Sequence, residues 1–350
     1  MKKHRRVGII GHFGGKETFL DGQTIKTKVL EKELQTVSNW KLVKVDTYYK
    51  SKNPVRLLWQ MFVCLFTCKD VFILVSGNGM RFFFPILYWF ARVFKTRVYH
   101  DLIGGSLNKY VEQYPKFRDY LNSFRVNWVE TGSIVKALEE VGVHNAEIMP
   151  NFKRLNVADE ASLATAFAPP YRFCTFSRVM KEKGIEDAME TVEAINAEAG
   201  KTVCTLDIYG NIDVGYTQRF EEIMAKATPA VQYRGVVPFD KSVEAIRDYY
   251  ALLFPTFWVG EGFAGTIVDA FSAGLPVIAT DWNCNGEIVE DMITGILYPN
   301  AQFSNLREAV DWVVQNPEAV AEMKKQCVRS AQRYQPDAYI EKIIAFVESR

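Results

Sequence analysis

The 350-residue sequence is most informative at first for what it lacks. No apolar run reaches the roughly 18 residues of a membrane-crossing helix. The two nearest, Leu57–Cys68 and Phe82–Phe94, are broken by Gln60 and by Pro85 and Arg92. Cysteine is sparse: Cys64 and Cys68 lie four apart, and no matching Cys/His pair stands elsewhere. That argues against a zinc site and for reduced, buried thiols in a cytosolic protein. No secretory leader is expected from this sequence, because Lys2-Lys3-His4-Arg5-Arg6 runs straight into the strand-like Val7-Gly8-Ile9-Ile10. Two phosphate-loop fingerprints fail as well. Around Gly11-His12-Phe13-Gly14-Gly15-Lys16, a Walker loop would need Gly where Ile10 stands and Ser or Thr where Glu17 stands. The dinucleotide pattern GxGxxG is not met either, so simple nucleoside triphosphatases and dehydrogenases lose their main support.

What is present suits a two-domain soluble protein. Hydrophobic residues make up 48% and charged residues 24%, enough apolar material for two cores. Charge is divided unevenly. Residues 1–150 hold 23 Lys and Arg against 13 Asp and Glu, or +10, and residues 151–350 hold 19 against 28, or −9. The basic first half is suited to an anionic partner, unless the imbalance is chance surface charge. Strand-like runs (Val7–Ile10, Leu42–Val45, Val71–Val75, Arg97–His100, Trp128–Glu130, Ile148–Met149) alternate with helical patterns such as Thr24–Val37, Pro54–Phe66 and Ser133–Val141. The alternation restarts at Arg172–Phe176, after a linker-like stretch Asn151–Pro170. Two such series predict an α/β protein of two doubly wound, parallel-sheet domains. The expected division is 1–150 and 151–332, with 333–350 as a final helix packing back on the first domain.

Several segments carry candidate chemistry. Gly14 and Gly15 follow the first strand, where glycines let backbone approach a phosphate or merely make a tight turn. His100 ends a parallel strand, a position that points toward the ligand crevice of an open sheet, though taken alone a surface or hydrogen-bonded histidine is the favoured reading. Arg178 and Lys183 flank the start of a helix, where two cations suit a diphosphate. The richest stretch runs from Phe254 to Ala270. Glu261 sits in the loop before a helix and Asp269 about one turn inside it, with Phe263 between them. The amides of Ala264, Gly265 and Thr266 can take phosphate oxygens, and a flanking carboxylate can accept hydrogen bonds from sugar hydroxyls.

This stretch resembles the Glu-x7-Glu signature of family-four retaining glycosyltransferases, which share the GT-B fold of two Rossmann-like domains facing a central cleft. The ordered companions Ser177-Arg178…Lys183-Gly184, Leu206–Gly210, Tyr233–Val237, Ala273–Ala279 and Gly286–Val289 extend the resemblance over nearly the whole chain. Val129–Ser133 and Met149–Phe152 resemble bacterial capsular, exopolysaccharide or lipopolysaccharide assembly members. The resemblance implies a hexosyltransferase-type reaction from a nucleotide-sugar, UDP by family frequency, with retention. It implies Glu261 on donor hydroxyls, Asp269 on the ribose, Arg178 and Lys183 on the diphosphate, and the backbone near Val237 on the base. Gly14 and Gly15 would close over the diphosphate, and His100 would stand near the donor sugar. Without an Asp-x-Asp motif, neither metal nor cofactor is expected. Two departures stand out: Asp269 replaces the second Glu, and Trp282-Asn283-Cys284-Asn285-Gly286 replaces the usual paired glycines.

The acceptor side is less defined. Arg81–Lys95 mixes aromatics with Arg and Lys, which suits either an anionic membrane boundary or a buried helix. The expectation is a cytoplasmic protein, peripheral on the inner membrane face, acting on a saccharide or lipid-linked saccharide. Nucleic acid is not an expected partner. Competing readings are a non-catalytic partner subunit and an epimerase or phosphorylase on the same fold.

Overall fold

The computed structural model describes residues 5–17, 22–37, 39–299 and 303–349, so Lys2, Lys3 and His4 of the basic start lie outside the described residues. The chain forms two compact units. One comprises Met1–Arg154 with Pro336–Arg350, the other Leu155–Gln335. The units therefore divide four residues beyond the expected boundary.

The first unit runs β1 (Arg6–Gly11), α1 (Gly22–Val37), β2 (Lys41–Asp46), α2 (Tyr49–Lys52), α3 (Pro54–Thr67), β3 (Asp70–Leu74), α4 (Gly77–Val93) and β4 (Arg97–Asp101). It continues through α5 (Leu107–Gln113), α6 (Lys116–Ser123), β5 (Val126–Val129), α7 (Gly132–Glu140) and β6 (Ala146–Ile148). Its parallel sheet has the order β2-β1-β3-β4-β5-β6. Every residue of β3 is buried, as a strand covered by helices on both faces requires. α3 starts where Pro54 supplies a ready helical φ and Asn53 accepts from Arg56 N at 3.0 Å. Phe72, Tyr99 and Trp128 stack across three strands at 5.1 and 5.9 Å. In the Arg81–Lys95 segment, Phe83, Phe84, Leu87 and Phe90 are buried, so much of that aromatic content is core.

The second unit runs β7 (Tyr171–Phe176), α8 (Ile185–Ala199), β8 (Cys204–Tyr209), α9 (Thr217–Met224), β9 (Val231–Gly235), α10 (Ser242–Ile246) and β10 (Ala251–Phe254). It continues through α11 (Gly265–Ser272), β11 (Val277–Thr280), α12 (Asn285–Ile288), β12 (Gly295–Tyr298), α13 (Phe303–Gln315) and α14 (Pro317–Ala331). The sheet order is β12-β11-β10-β7-β8-β9. Successive strand residues enter opposite cores. Phe173, Leu206, Leu253 and Ile278 lie in one cluster, and their neighbours Cys174, Leu252, Val277 and Ala279 lie in the other. All six cysteines are free and buried.

The last helix, α15 (Pro336–Glu348), belongs to the first unit. Its Ile340, Ile343 and Val347 are buried with Val7, Leu30, Tyr99 and Trp128.

Candidate functional site

In the second sheet the strand order reverses between β7 and β10, which pair in parallel at the centre. Ligands of open α/β sheets bind beyond the C-terminal ends of strands at such a reversal, because the two exit loops diverge there and leave a crevice. Lys183 lies on the loop leaving β7 and Glu261 on the loop leaving β10. The loops are clipped together: Phe257 N donates to Glu182 O at 2.9 Å, and Thr256 Oγ1 lies 3.3 Å from the same oxygen. Gly184 allows this approach. Its φ is +68°, and a Cβ there would stand 2.2 Å from Pro255 O.

Within this clip, Lys183 Nζ donates to Glu261 Oε2. Both side chains are buried. The same carboxylate oxygen accepts from Thr256 Oγ1 at 2.9 Å. Burial pushes the Lys183 ammonium below its ordinary pKa, Glu261 pulls it back, and Arg178 pushes it down further. The rings of Trp258 and Phe254 lie 5.2 and 5.3 Å from Nζ. A third loop braces the second. Trp282 Nε1 donates to Trp258 O at 2.9 Å and Asn283 Nδ2 to Glu261 O at 3.1 Å.

Four residues after Glu261, α11 begins at Gly265. Ala264 precedes it, and among the described residues no side chain caps it. Ile267 N donates back to Ala264 O at 3.0 Å, and the remaining amides of this helix start are of the kind that suits an anionic group. Thr266 contributes only backbone there, since its Oγ1 donates to Phe176 O at 2.6 Å. Arg178 is exposed, with its guanidinium 3.8 Å from the Asp213 carboxylate. Asp269 is buried and accepts from Ser242 Oγ at 2.8 Å. Val237 is half-buried in the loop after β9.

Three expectations need correction. His100 is fully buried, with its ring edge-on to Phe84 at 5.1 Å and its Nδ1 3.1 Å from Asn127 Oδ1. It is one residue inside the end of β4, on the sheet face that α4 covers, so it lines no open crevice. Burial pushes its pKa down to about 4. Phe263 is also core, packing on Tyr334 at 5.4 Å. In the glycine turn, Gly14 and Gly15 have the expected positive φ. However, Phe13 N and Gly15 N both donate to the Asp46 carboxylate at 2.9 Å. Those two amides are already satisfied by an anion of the chain itself.

Other participants are visible only in three dimensions. Thr256, Trp258 and Asn283 hold Glu261 and Lys183; the sequence marked the segments they lie on, Phe254–Ala270 and Trp282–Gly286, but not these contacts. In the first unit, Lys26 Nζ lies 2.8 Å from Asp101 Oδ1 and 3.0 Å from Glu130 Oε1, and donates to Leu102 O at 2.7 Å. All three charged residues are buried. Burial alone would lower the Lys26 pKa, but the two carboxylates hold it above its ordinary value. At the opposite end of the second sheet, a cavity of about 240 Å³ is lined by Phe167, Arg172 and Lys324. Lys324 is satisfied there by Tyr249 O at 2.7 Å, and burial lowers its pKa to about 8.

Residues 170–316, most of the second unit, match the family Glycosyl transferases group 1. A curated relative is the UDP-N-acetylglucosamine–peptide N-acetylglucosaminyltransferase GtfA subunit of Streptococcus agalactiae. It is 29% identical over 180 residues, which cover 49% of this chain and 34% of that protein. The chain thus matches about a third of that relative's length. Among solved structures, Anabaena HepE in complex with UDP and glucose superposes with a TM-score of 0.72 at 11% identity, covering 99% of this chain and 100% of that one. Sucrose-phosphate synthase from Thermosynechococcus elongatus does so with 0.75 at 14% identity, covering 98% of each. With two parallel six-stranded sheets among the described residues, these likenesses establish the GT-B fold.

Proposed function

We propose that the chain is a glycosyltransferase that moves a sugar from a UDP-sugar to a saccharide acceptor. The observation that carries this reading is the buried Lys183–Glu261 pair beside the uncapped start of α11, at the reversal point of the second sheet. A buried carboxylate, a buried ammonium and a helix N-terminus together suit a ligand that is both polyhydroxylated and anionic. On donor entry, the diphosphate takes over the Lys183 ammonium and the α11 amides, with exposed Arg178 adding charge. Glu261 is then released to accept hydrogen bonds from the sugar hydroxyls near the reacting carbon. Leaving-group charge is thereby stabilised by fixed protein cations and dipoles, without a metal or cofactor. Asp269 and Ser242 face the ribose, and the loop at Val237 meets the base.

The finer features follow the resemblance: retention at the anomeric carbon, a lipid-linked saccharide as acceptor, and a place in cell-surface polysaccharide assembly on the cytoplasmic side. The choice of UDP is supported by the UDP-N-acetylglucosamine in the curated relative's name and by the UDP bound to Anabaena HepE.

The test is a panel of nucleotide sugars, read by thermal shift and by donor hydrolysis. A UDP-sugar is expected to raise Tm and to be slowly hydrolysed. Glu261→Gln is expected to cut turnover at least about a hundredfold, as loss of a transition-state contact does. If no nucleotide sugar binds, the donor-site reading fails.

A further inference from the structure

Helix α3 is apolar on two faces. Leu57, Met61, Cys64 and Leu65 pack inward. Val55, Leu58, Trp59, Phe62 and Phe66 are each more than half exposed, between 55 and 77%. The outward residues recur at intervals of three and four, so they form one stripe along the helix. Their rings make a continuous ridge. Trp59 stacks on Phe62 at 5.9 Å, Phe62 leans on Phe66 at 4.7 Å, and Phe66 meets Phe94 at 5.9 Å. Phe94 then contacts Trp89 of α4 at 5.3 Å. Trp89 and Val93 are themselves 51 and 54% exposed. A contiguous aromatic surface of this kind marks an interaction site rather than scattered surface hydrophobes.

The charge around the ridge has one sign. Residues 47–95 contain seven Lys and Arg and a single acid, Asp70. Asp70 is buried and paired with Arg5 and Arg97. Lys52, Arg56, Lys69, Arg92 and Lys95 are exposed, each within three residues along the chain of an exposed apolar residue of the stripe. Lys69 Nζ donates to Phe94 O at 3.1 Å, which places that cation at the ridge itself.

These features select among occupants. A second copy pairing through a two-fold axis would bring two cationic borders together, which like-charge repulsion opposes. Aromatic rings bordered by Lys and Arg match the headgroup boundary of an anionic bilayer, where rings enter the interface and cations meet lipid phosphates. The 14 residues of α3 extend about 21 Å, short of the roughly 30 Å hydrocarbon core. Among the described residues no helix is long and apolar enough to cross a membrane. The ridge therefore suits lying in the interface plane.

We propose that the first unit docks on anionic lipid bilayers through the α3–α4 aromatic ridge and its basic border. The inference does not depend on the transferase reading, because it is measured without donor or acceptor. The full chain is floated with phosphatidylcholine vesicles containing about a third phosphatidylglycerol, and with pure phosphatidylcholine vesicles. Binding to the anionic vesicles is expected to exceed binding to neutral ones at least about tenfold, and to weaken steeply between low and high salt. Phe62→Ser/Phe66→Ser and, separately, Lys69→Glu/Lys95→Glu are each expected to lower the bound fraction about tenfold, with circular dichroism melts confirming a folded chain. No flotation with anionic vesicles at low salt overturns the proposal. So does binding that both variants retain. A concentration-dependent dimer or a captured protein that Phe62→Ser/Phe66→Ser abolishes, without vesicle binding, assigns the ridge to a protein interface and also overturns it.

Discussion

Lys183 and Glu261 are charged groups that burial should expel, and each is tolerated because the other is present. A buried pair of this kind adds little net stability, yet removing one partner strands the other. Lys183→Met is therefore expected to cost about 3 kcal/mol in urea unfolding. Pairing it with Glu261→Met is expected to recover part of that loss while leaving the chain without donor turnover. Full stability in the single variant would mean that the pair is open in solution. His100 offers a separate, pH-resolved test. Its folded pKa of about 4 lies below the ordinary 6.5, because burial disfavours the imidazolium. Below pH 6.5 the unfolded chain takes up a proton that the folded chain refuses. Stability is thus lost as pH falls from 6.5 to about 4, and no further loss from this group follows below that. The full effect is on the order of 3 kcal/mol. His100→Leu is expected to flatten this part of the profile, measured as the difference in unfolding free energy between pH 7 and pH 4.5. A slope equal to that of the parent would show that His100 is solvated.

At the scale of elements, the site depends on how two turns meet. The turn after β7 reaches the β10 loop only because Gly184 adopts φ +68° against Pro255 O. Gly184→Ala adds left-handed strain of about 1–2 kcal/mol together with a backbone clash. The expected result is a lower Tm and a weaker UDP-sugar affinity, since Lys183 immediately precedes the displaced residue. Unchanged affinity would separate the turn from the donor site. Strand identity was largely legible beforehand, because Val- and Ile-rich runs between helical patterns have few alternatives in a parallel sheet. Helices α5 and α6 were not, as Leu107–Gln113 and Lys116–Ser123 are too short to establish a period. The clip through Glu182 was also invisible, since it joins residues more than seventy positions apart (Thr256 Oγ1 to Glu182 O).

At the scale of the whole molecule, the chain leaves the first unit at Arg154 and returns to it at Pro336. The return completes a core, because Ile340, Ile343 and Val347 bury against the faces of Val7, Tyr99 and Trp128. Three buried aliphatic side chains are worth about 1.5–3 kcal/mol each. A chain ending at Gln335 is therefore expected to lose more than about 10 °C from the transition of the first unit in calorimetry. The transition of the second unit should stay within a few degrees. A melt identical to that of the full chain would show that α15 is dispensable.

The sequence by itself determined the α/β class, the two strand series and the segment from Phe254 to Ala270, because periodicity and turn residues are local properties. It also marked Lys183 and Glu261 as candidates for one donor site. Only the tertiary structure decided that Lys183 and Glu261 share one buried hydrogen bond, and that His100 and Phe263 are core. It likewise decided that Asp46 occupies two amides of the glycine turn and that α3 carries an aromatic stripe facing outward. The reason is common to all of these. Strand order and helix facing set which distant residues meet and which side of an apolar helix is covered, and neither is written in the spacing of neighbours along the chain.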